Sequence, residues 1–228
     1  MAEKLRDKII SLLNKMQGTR KNLVKDKFNR IAVIPPSKIC IENYIRTKPH
    51  AAFNPGAILV NDEIHMFPRL IFDYYKYTSC IGHLTMKMSD LYELNQREKV
   101  STKIIMTPTY LWEFKGCEDP RIFKHNEKYI FFYTGYGYEW VDNKLETRIR
   151  QGVAWLDSNF NVEKRACLRF KDDHKYYYYP TKDSTIISMS NNKTKILTRP
   201  SIMDLEVGWK TVIDLNDPVV NINELEPV

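Results

Sequence analysis

Asp119-Pro120-Arg121-Ile122-Phe123, a turn at His125-Asn126, and Tyr129-Ile130-Phe131-Phe132-Tyr133-Thr134 form the stretch on which the fold turns. It reads as two strands rich in aromatic and β-branched residues, joined by a short Asn-containing turn. The same phrase occurs twice more. Upstream, Asn54-Pro55-Gly56-Ala57-Ile58-Leu59-Val60 leads through Asn61-Asp62 into Ile64-His65-Met66-Phe67-Pro68-Arg69. Downstream, Asp183-Ser184-Thr185-Ile186-Ile187 leads through Asn191-Asn192 into Thr194-Lys195-Ile196-Leu197-Thr198-Arg199. The starts at 54, 119 and 183 lie 65 and 64 residues apart, and the ends at 69, 134 and 199 lie 65 apart twice. A further strand follows the first two hairpins, over 81–86 ahead of Ser89-Asp90 and over 152–156 ahead of Asp157-Ser158.

Each period therefore holds about four strands, the content of one propeller blade. A lone hairpin of this kind cannot bury its own faces, so neighbouring units must stack about an axis. Equivalent positions in successive units then converge on one small volume. Asn54, Asp119 and Asp183 share one such position; Arg69, Thr134 and Arg199 share another. Most strand-end polar residues are only turn formers. Three units with the same polarity at the same phase point further, to carboxylates and guanidinium groups meeting near a channel mouth.

The expected fold is thus all-β, with about three blades over residues 29–228. Ahead of it, residues 1–28 read as an amphipathic helix and a basic connector. Leu5, Ile9, Leu12, Leu13 and Met16 fall on one face at helical spacing, and the helix ends near Gly18. Such a helix is expected to pack on the body of the protein or on a second subunit.

Composition narrows the function classes. Of 228 residues, 43% are hydrophobic and 12% aromatic, which excludes disorder as the main state. No window approaches the roughly 18 apolar residues of a membrane span, and Met1-Ala2-Glu3-Lys4-Leu5-Arg6 lacks a signal-peptide texture, so a cytoplasmic location is expected. The net charge, 35 − 28 = +7, suits an anionic partner such as phosphate, an acidic sugar or nucleic acid. No RNA-recognition motif or basic aromatic stripe accompanies it, so no nucleic-acid partner is expected. Cys40, Cys80, Cys117 and Cys167 stand far apart, with no CxxC or Cys/His cluster, so neither zinc nor any other metal is expected and the thiols read as reduced.

Phe53-Asn54-Pro55-Gly56-Ala57, Pro68-Arg69, Ser79-Cys80-Ile81-Gly82, Gly116-Cys117-Glu118-Asp119-Pro120-Arg121-Ile122, Lys182-Asp183 and Thr198-Arg199-Pro200 resemble glycoside hydrolase family 130. The resemblance runs from about residue 50 to 205, and the Gly-x-Glu-Asp-Pro-Arg segment is its most specific piece. It implies a five-bladed β-propeller and inverting phosphorolysis of β-mannosides to mannose 1-phosphate. Asp119 would be the proton donor, acting through a sugar hydroxyl. Asn54 and Arg69 would hold the sugar beside the cleaved bond, with Arg121 and Asp183 also in the substrate-binding set. Inorganic phosphate would be a co-substrate and no cofactor is implied. The chain departs from the family at Thr198-Arg199-Pro200, where members show His-Arg-Pro. It also stops at Val228, where members carry further blades, so a fragment or a ring completed by another copy or a partner chain is expected.

The chemistry agrees in kind. A phosphate dianion beside an anomeric carbon needs several cations, and arginine binds two of its oxygens with one planar fork. Arg148, Arg150, Lys182 and Arg199 are the candidates; Arg148 and Arg150, two apart on a strand, face one side. Hydrolysis would instead require a carboxylate base to activate water. Asp90 is the rival carboxylate but reads as a turn residue. Gly135-Tyr136-Gly137-Tyr138-Glu139-Trp140 is the expected sugar-subsite loop. Three readings stay open: a mannoside phosphorylase, a mannoside hydrolase, and a truncated carbohydrate-binding relative without turnover.

Overall fold

The computed structural model describes residues 2–18, 23–94, 96–190, 193–202 and 205–228. The described residues are all-β apart from one α-helix and a few short 3-10 turns. It forms two compact units, residues 30–166 and residues 1–29 with 167–228. This differs from the expected division into 1–28 and 29–228. The expected connector over 19–28 falls partly, and the turn at Asn191-Asn192 wholly, outside the described residues.

The 30–166 unit contains β1 (Ile39–Ile41), β2 (Ala51–Val60), β3 (Glu63–Ile71), β4 (Ser79–Lys87), β5 (Val100–Met106), β6 (Gly116–His125), β7 (Lys128–Val141), β8 (Lys144–Leu156) and β9 (Val162–Cys167). Strands β2, β3, β4 and β5 form an antiparallel meander, and β1 joins β5 in parallel. Strands β6, β7 and β8 form a second meander, extended by β9. One parallel bridge, Ser79 to Gly116, links the two meanders into a 9-stranded sheet. Asn61 and Asp62, and again Asp142 and Asn143, have positive φ at the hairpin tips. That is the backbone the two-residue turn of a twisted hairpin demands, and Asn and Asp tolerate it.

Strand alternation sorts the apolar residues. On β3 and β4, Phe67 and Ile81 face a core shared with Cys117, Phe131, Tyr133, Ala154, Leu156 and Phe160. Leu70 and Cys80 face the other way, against Ile39 and Ile41, while Leu84 and Met86 pack with Leu94 and Val100. The first meander is therefore covered on both faces.

Two polar groups sit within this packing. Glu113, in the turn before β6, is 0% exposed. Its Oε1 accepts from Arg165 Nη1 at 2.7 Å and from the Thr109 and Tyr110 amides at 3.0 and 3.3 Å. Its Oε2 accepts from Tyr133 OH at 2.8 Å and Cys117 Sγ at 3.4 Å. Burial and the Glu113 charge push both the Cys117 thiol and the Tyr133 phenol well above their ordinary values, so both stay protonated as donors. His65 and His83 form the second group. His83 stacks on Phe67 with centroids 4.8 Å apart, and both histidines pack on Phe160. Burial, with help from His65 and Lys103, pulls His83 down from 6.5 to about 4.

The second unit contains the helix α1 (Ala2–Met16), β10 (Arg169–Asp172), β11 (Lys175–Tyr177), β12 (Thr181–Ser190), β13 (Lys193–Ile202), β14 (Leu205–Glu206), β15 (Trp209–Ile213), β16 (Val219–Asn221) and β17 (Glu226–Pro227). Strands β12, β13, β15 and β17 form an antiparallel sheet with β14 on β13, and β11, β10 and β16 form a small separate one. Leu5 and Ile9 of α1 are buried, whereas Leu13 and Met16 on the same stripe are exposed. Lys8 Nζ donates to the carbonyls of Asn223 and Leu225 at 3.1 and 2.7 Å, which ties the helix to the chain's last segment. Among the described residues, no helix is long and apolar enough to cross a membrane.

Removing the Glu113 carboxylate leaves Arg165 as a buried charge without its counter-ion, a loss of about 3–5 kcal/mol. Glu113→Ala should lower unfolding stability by that order in urea titrations. The His83 proton is bound in the unfolded chain below 6.5 and in the folded chain only near 4. Folded stability should therefore fall as pH drops through that window. In His83→Phe the fall in urea midpoint between those two pH values should be shallower than in the parent.

Candidate active site

The three repeated polar positions share one backbone conformation. Asn54, Asp119 and Asp183 have φ of 46°, 49° and 59°. Each lies at a shift in strand register, between Phe53 and Gly56, between Glu118 and Arg121, and between Lys182 and Thr185. A bulge with a left-handed residue turns that side chain out of the normal alternation. Among residues with a polar side chain, Asn and Asp accept this conformation most easily. Pro55 and Pro120 follow the first two, where the disrupted ladder asks for no amide donor.

Strands β2 and β6 approach closely at this level. A Cβ placed on Gly56 would stand 2.4 Å from the Pro120 carbonyl oxygen, so only glycine permits the approach. As a result, Asn54 Nδ2 donates to Asp119 Oδ1 at 3.0 Å. Arg69, opposite Phe53 on β3, completes the cluster. Its Nη2 meets Glu118 Oε1 at 2.7 Å, its Nη1 meets Asp119 Oδ1 at 3.5 Å, and its Nε donates to Ser79 Oγ at 2.9 Å. The guanidinium lies over the rings of Phe53 and Tyr77, 4.9 and 5.4 Å from their centroids.

Arg69 is buried, with 7% of its surface exposed, while the Asp119 side chain keeps 25%. Asp119 is thus the open end of a buried ionic cluster. Both of its contacts here fall on Oδ1.

The other expected residues fall into separate groups. Arg121, half-buried, stands opposite Phe132. Arg150 pairs with Glu139, and Arg148 pairs with Glu146 and lies 3.9 Å from Glu139. Arg150 sits opposite Gly135, which sits opposite Cys117, whereas Glu118 sits opposite Thr134. Alternation puts Arg150 on the Cys117 face of the sheet, not the Glu118 face. These contacts do not bring Arg148 and Arg150 to Asp119. In the second unit, Arg199 meets Asp183 at 2.5 Å and Glu206 at 2.7 Å, and the half-buried Lys182 stands opposite Arg199.

The expected loop over 135–140 is instead the continuous end of β7. The Asp142-Asn143 turn lets β7 and β8 run as a ribbon past the end of β6; the Trp112 ring covers Gly135, and the backbone from Leu111 to Glu113 covers Gly137. Asp90 lies in a 3-10 turn and pairs with Arg97 at 2.5 Å. Four contributors to the cluster, Phe53, Tyr77, Ser79 and Glu118, are not among the expected site residues. Phe53, Ser79 and Glu118 lie within the motif pieces, but their contacts with Arg69 leave no trace in sequence.

The family model described as beta-1,4-mannooligosaccharide phosphorylase, glycoside hydrolase family 130, matches residues 18–216. The chain belongs to this family. The beta-1,2-mannobiose phosphorylase of Thermoanaerobacter sp. (strain X514) is 26% identical over 176 residues, covering 69% of this chain and 50% of the relative. The chain thus spans about half the length of that curated relative. A solved member of the GH130 family of mannoside phosphorylases, which contains glycoside hydrolases that target beta-1,2 mannosidic linkages in Candida mannan, shares 20% identity at a TM-score of 0.50. That likeness covers 78% of this chain and 48% of the solved one. An alpha-L-arabinofuranosidase from Lactobacillus brevis superposes with a TM-score of 0.52 at 9% identity, over 78% of this chain and 52% of its own. These structural likenesses concern the fold alone.

Two substitutions probe the family-130 cluster. Arg69→Met should cost about 3–5 kcal/mol in urea unfolding, because Glu118 is left largely buried without its cation. Gly56→Ala should cost about 1–3 kcal/mol through overpacking against β6.

Proposed function

We propose that the protein acts on β-mannosides by inverting phosphorolysis, releasing mannose 1-phosphate, with Asp119 as proton donor. Asn54 and Arg69 hold the sugar beside the cleaved bond. The reading rests first on membership of family 130 and on the phosphorylase relative. Its structural support is the cluster that orients Asp119 through Oδ1 and leaves Oδ2 to carry the proton. In the proposed step, the proton on Oδ2 passes through a sugar hydroxyl to the leaving oxygen. A phosphate oxygen meanwhile attacks the anomeric carbon from the opposite face.

One observation favours phosphorolysis over hydrolysis. An inverting hydrolase needs a second carboxylate free to take a proton from water. Among the described residues, the second carboxylate in contact with the Asp119 cluster is Glu118, and it is committed to Arg69 at 2.7 Å with Ser79 Oγ at 3.4 Å. Phosphate needs no such base. No cofactor enters the reaction. The four-stranded sets β2–β5, β6–β9 and β12–β13–β15–β17 support reading the chain as three blades of the family's five-bladed propeller.

Incubation with β-mannosyl disaccharides, followed by phosphorus NMR, tests the reading. Mannose 1-phosphate should form only when phosphate is added, and Asp119→Asn should lower its rate by two orders of magnitude or more. Free mannose formed without phosphate would move the protein to the hydrolases. A folded chain with no product would leave a carbohydrate-binding relative.

A further inference from the structure

Away from the Asp119 cluster, β3 and β4 place three donor atoms in a small triangle. His65 Nδ1 and His83 Nε2 are 3.0 Å apart. Thr85 Oγ1 lies 3.1 Å from the first and 3.2 Å from the second. The register explains it: His65 stands directly opposite Thr85, and His83 is two residues along the same strand and on the same face. We propose that His65, His83 and Thr85 bind a divalent cation of borderline softness, of the zinc, cobalt and nickel class.

The dimensions fit. Such a cation sits about 2.0–2.1 Å from imidazole nitrogen. At tetrahedral or octahedral angles its neighbouring ligands then stand about 2.9–3.4 Å from one another. All three edges of this triangle fall in that range. Imidazole is also the side chain these cations share as a preferred ligand.

Without an ion the two ring nitrogens face each other across a hydrogen bond, with centroids 5.2 Å apart and planes 20° apart, so a bound ion takes the place of the shared proton. Phe67 backs His83, and Phe160 packs against both at 4.5 and 4.9 Å. The aromatic floor leaves the two rings little freedom to lose on binding. Metal binding also requires neutral imidazole. Both rings are held below the ordinary histidine value, mainly by burial. The charged groups that act on the pair are Glu63, on β3 and two residues from His65, and Lys103, opposite His83 on β5. Glu63 offsets the cation's charge from one side. Lys103 opposes it from the other, and lies 3.7 Å from Glu42.

Among the described residues, no group of three or more His, Cys, Asp or Glu is placed to hold a metal. The third protein donor is therefore a hydroxyl, and water fills the remaining positions. That donor set makes an exchangeable site rather than a permanent structural one.

Cobalt titration of the full chain provides the test. One equivalent of Co²⁺ should develop a visible spectrum of nitrogen and oxygen ligands without thiolate charge transfer, and Zn²⁺ should bleach it. Affinity should fall by at least about tenfold in His65→Gln, and remain unchanged in His50→Gln. A readout on the unaltered protein covers the case where a variant misfolds. Of the 5 histidines, only His65 and His83 should show paramagnetically shifted imidazole signals. No binding at millimolar cobalt, thiolate bands, an unchanged affinity in His65→Gln, or shifts spread over all the histidines would each overturn the proposal.

Discussion

The candidate site depends on a backbone choice before any charge is considered. At Asn54 and at Asp119 the chain enters the left-handed region for one residue, and the strand ladder skips there. In a regular strand each side chain would point to the face dictated by its parity. The skip frees these two from parity, and the Gly56–Pro120 approach closes the gap between their strands. The 3.0 Å hydrogen bond from Asn54 to Asp119 follows from those two constraints. Arg69 then finds its partners already in place.

Two of the arginine–carboxylate clusters in the 30–166 unit, around Glu113 and around Arg69, are of different kinds. Glu113 is sealed, with every neighbour a donor, and braces the start of β6 through Cys117 and of the core through Tyr133. Such an arrangement contributes specificity and rigidity more than net stability, since both charges have lost their water. The Arg69 cluster is graded instead. The guanidinium is buried, Glu118 nearly so, and Asp119 open. The buried end fixes the cluster's orientation, and the open end stays in contact with solvent.

Much of this was legible in sequence because it is periodic. The spacing of Asn54, Asp119 and Asp183 found the three hairpins, and the motif pieces around them found Asn54, Arg69 and Asp119. The bulges themselves were not visible, although Asn or Asp followed by proline at a strand start is their trace. What failed to show was pairing. Nothing in the sequence says that Glu139 takes Arg150, or that the run from Gly135 to Trp140 continues as a strand, because a two-residue Asp142-Asn143 turn looks the same beneath a loop or a ribbon. The helix stripe is amphipathic in sequence, yet only its first half is buried. Periodicity reports which face is apolar, not how far a partner extends along it.

The left-handed position also limits what this site can become. A residue there must tolerate positive φ and still carry a polar head, which leaves little beyond Asn and Asp. These two share the same shape and differ by one base in the genetic code. One has an amide that can only hold a ligand; the other has a carboxyl that can also give it a proton. A lineage using this repeat can therefore switch a unit between holding and reacting in a single mutational step, with the backbone already paid for.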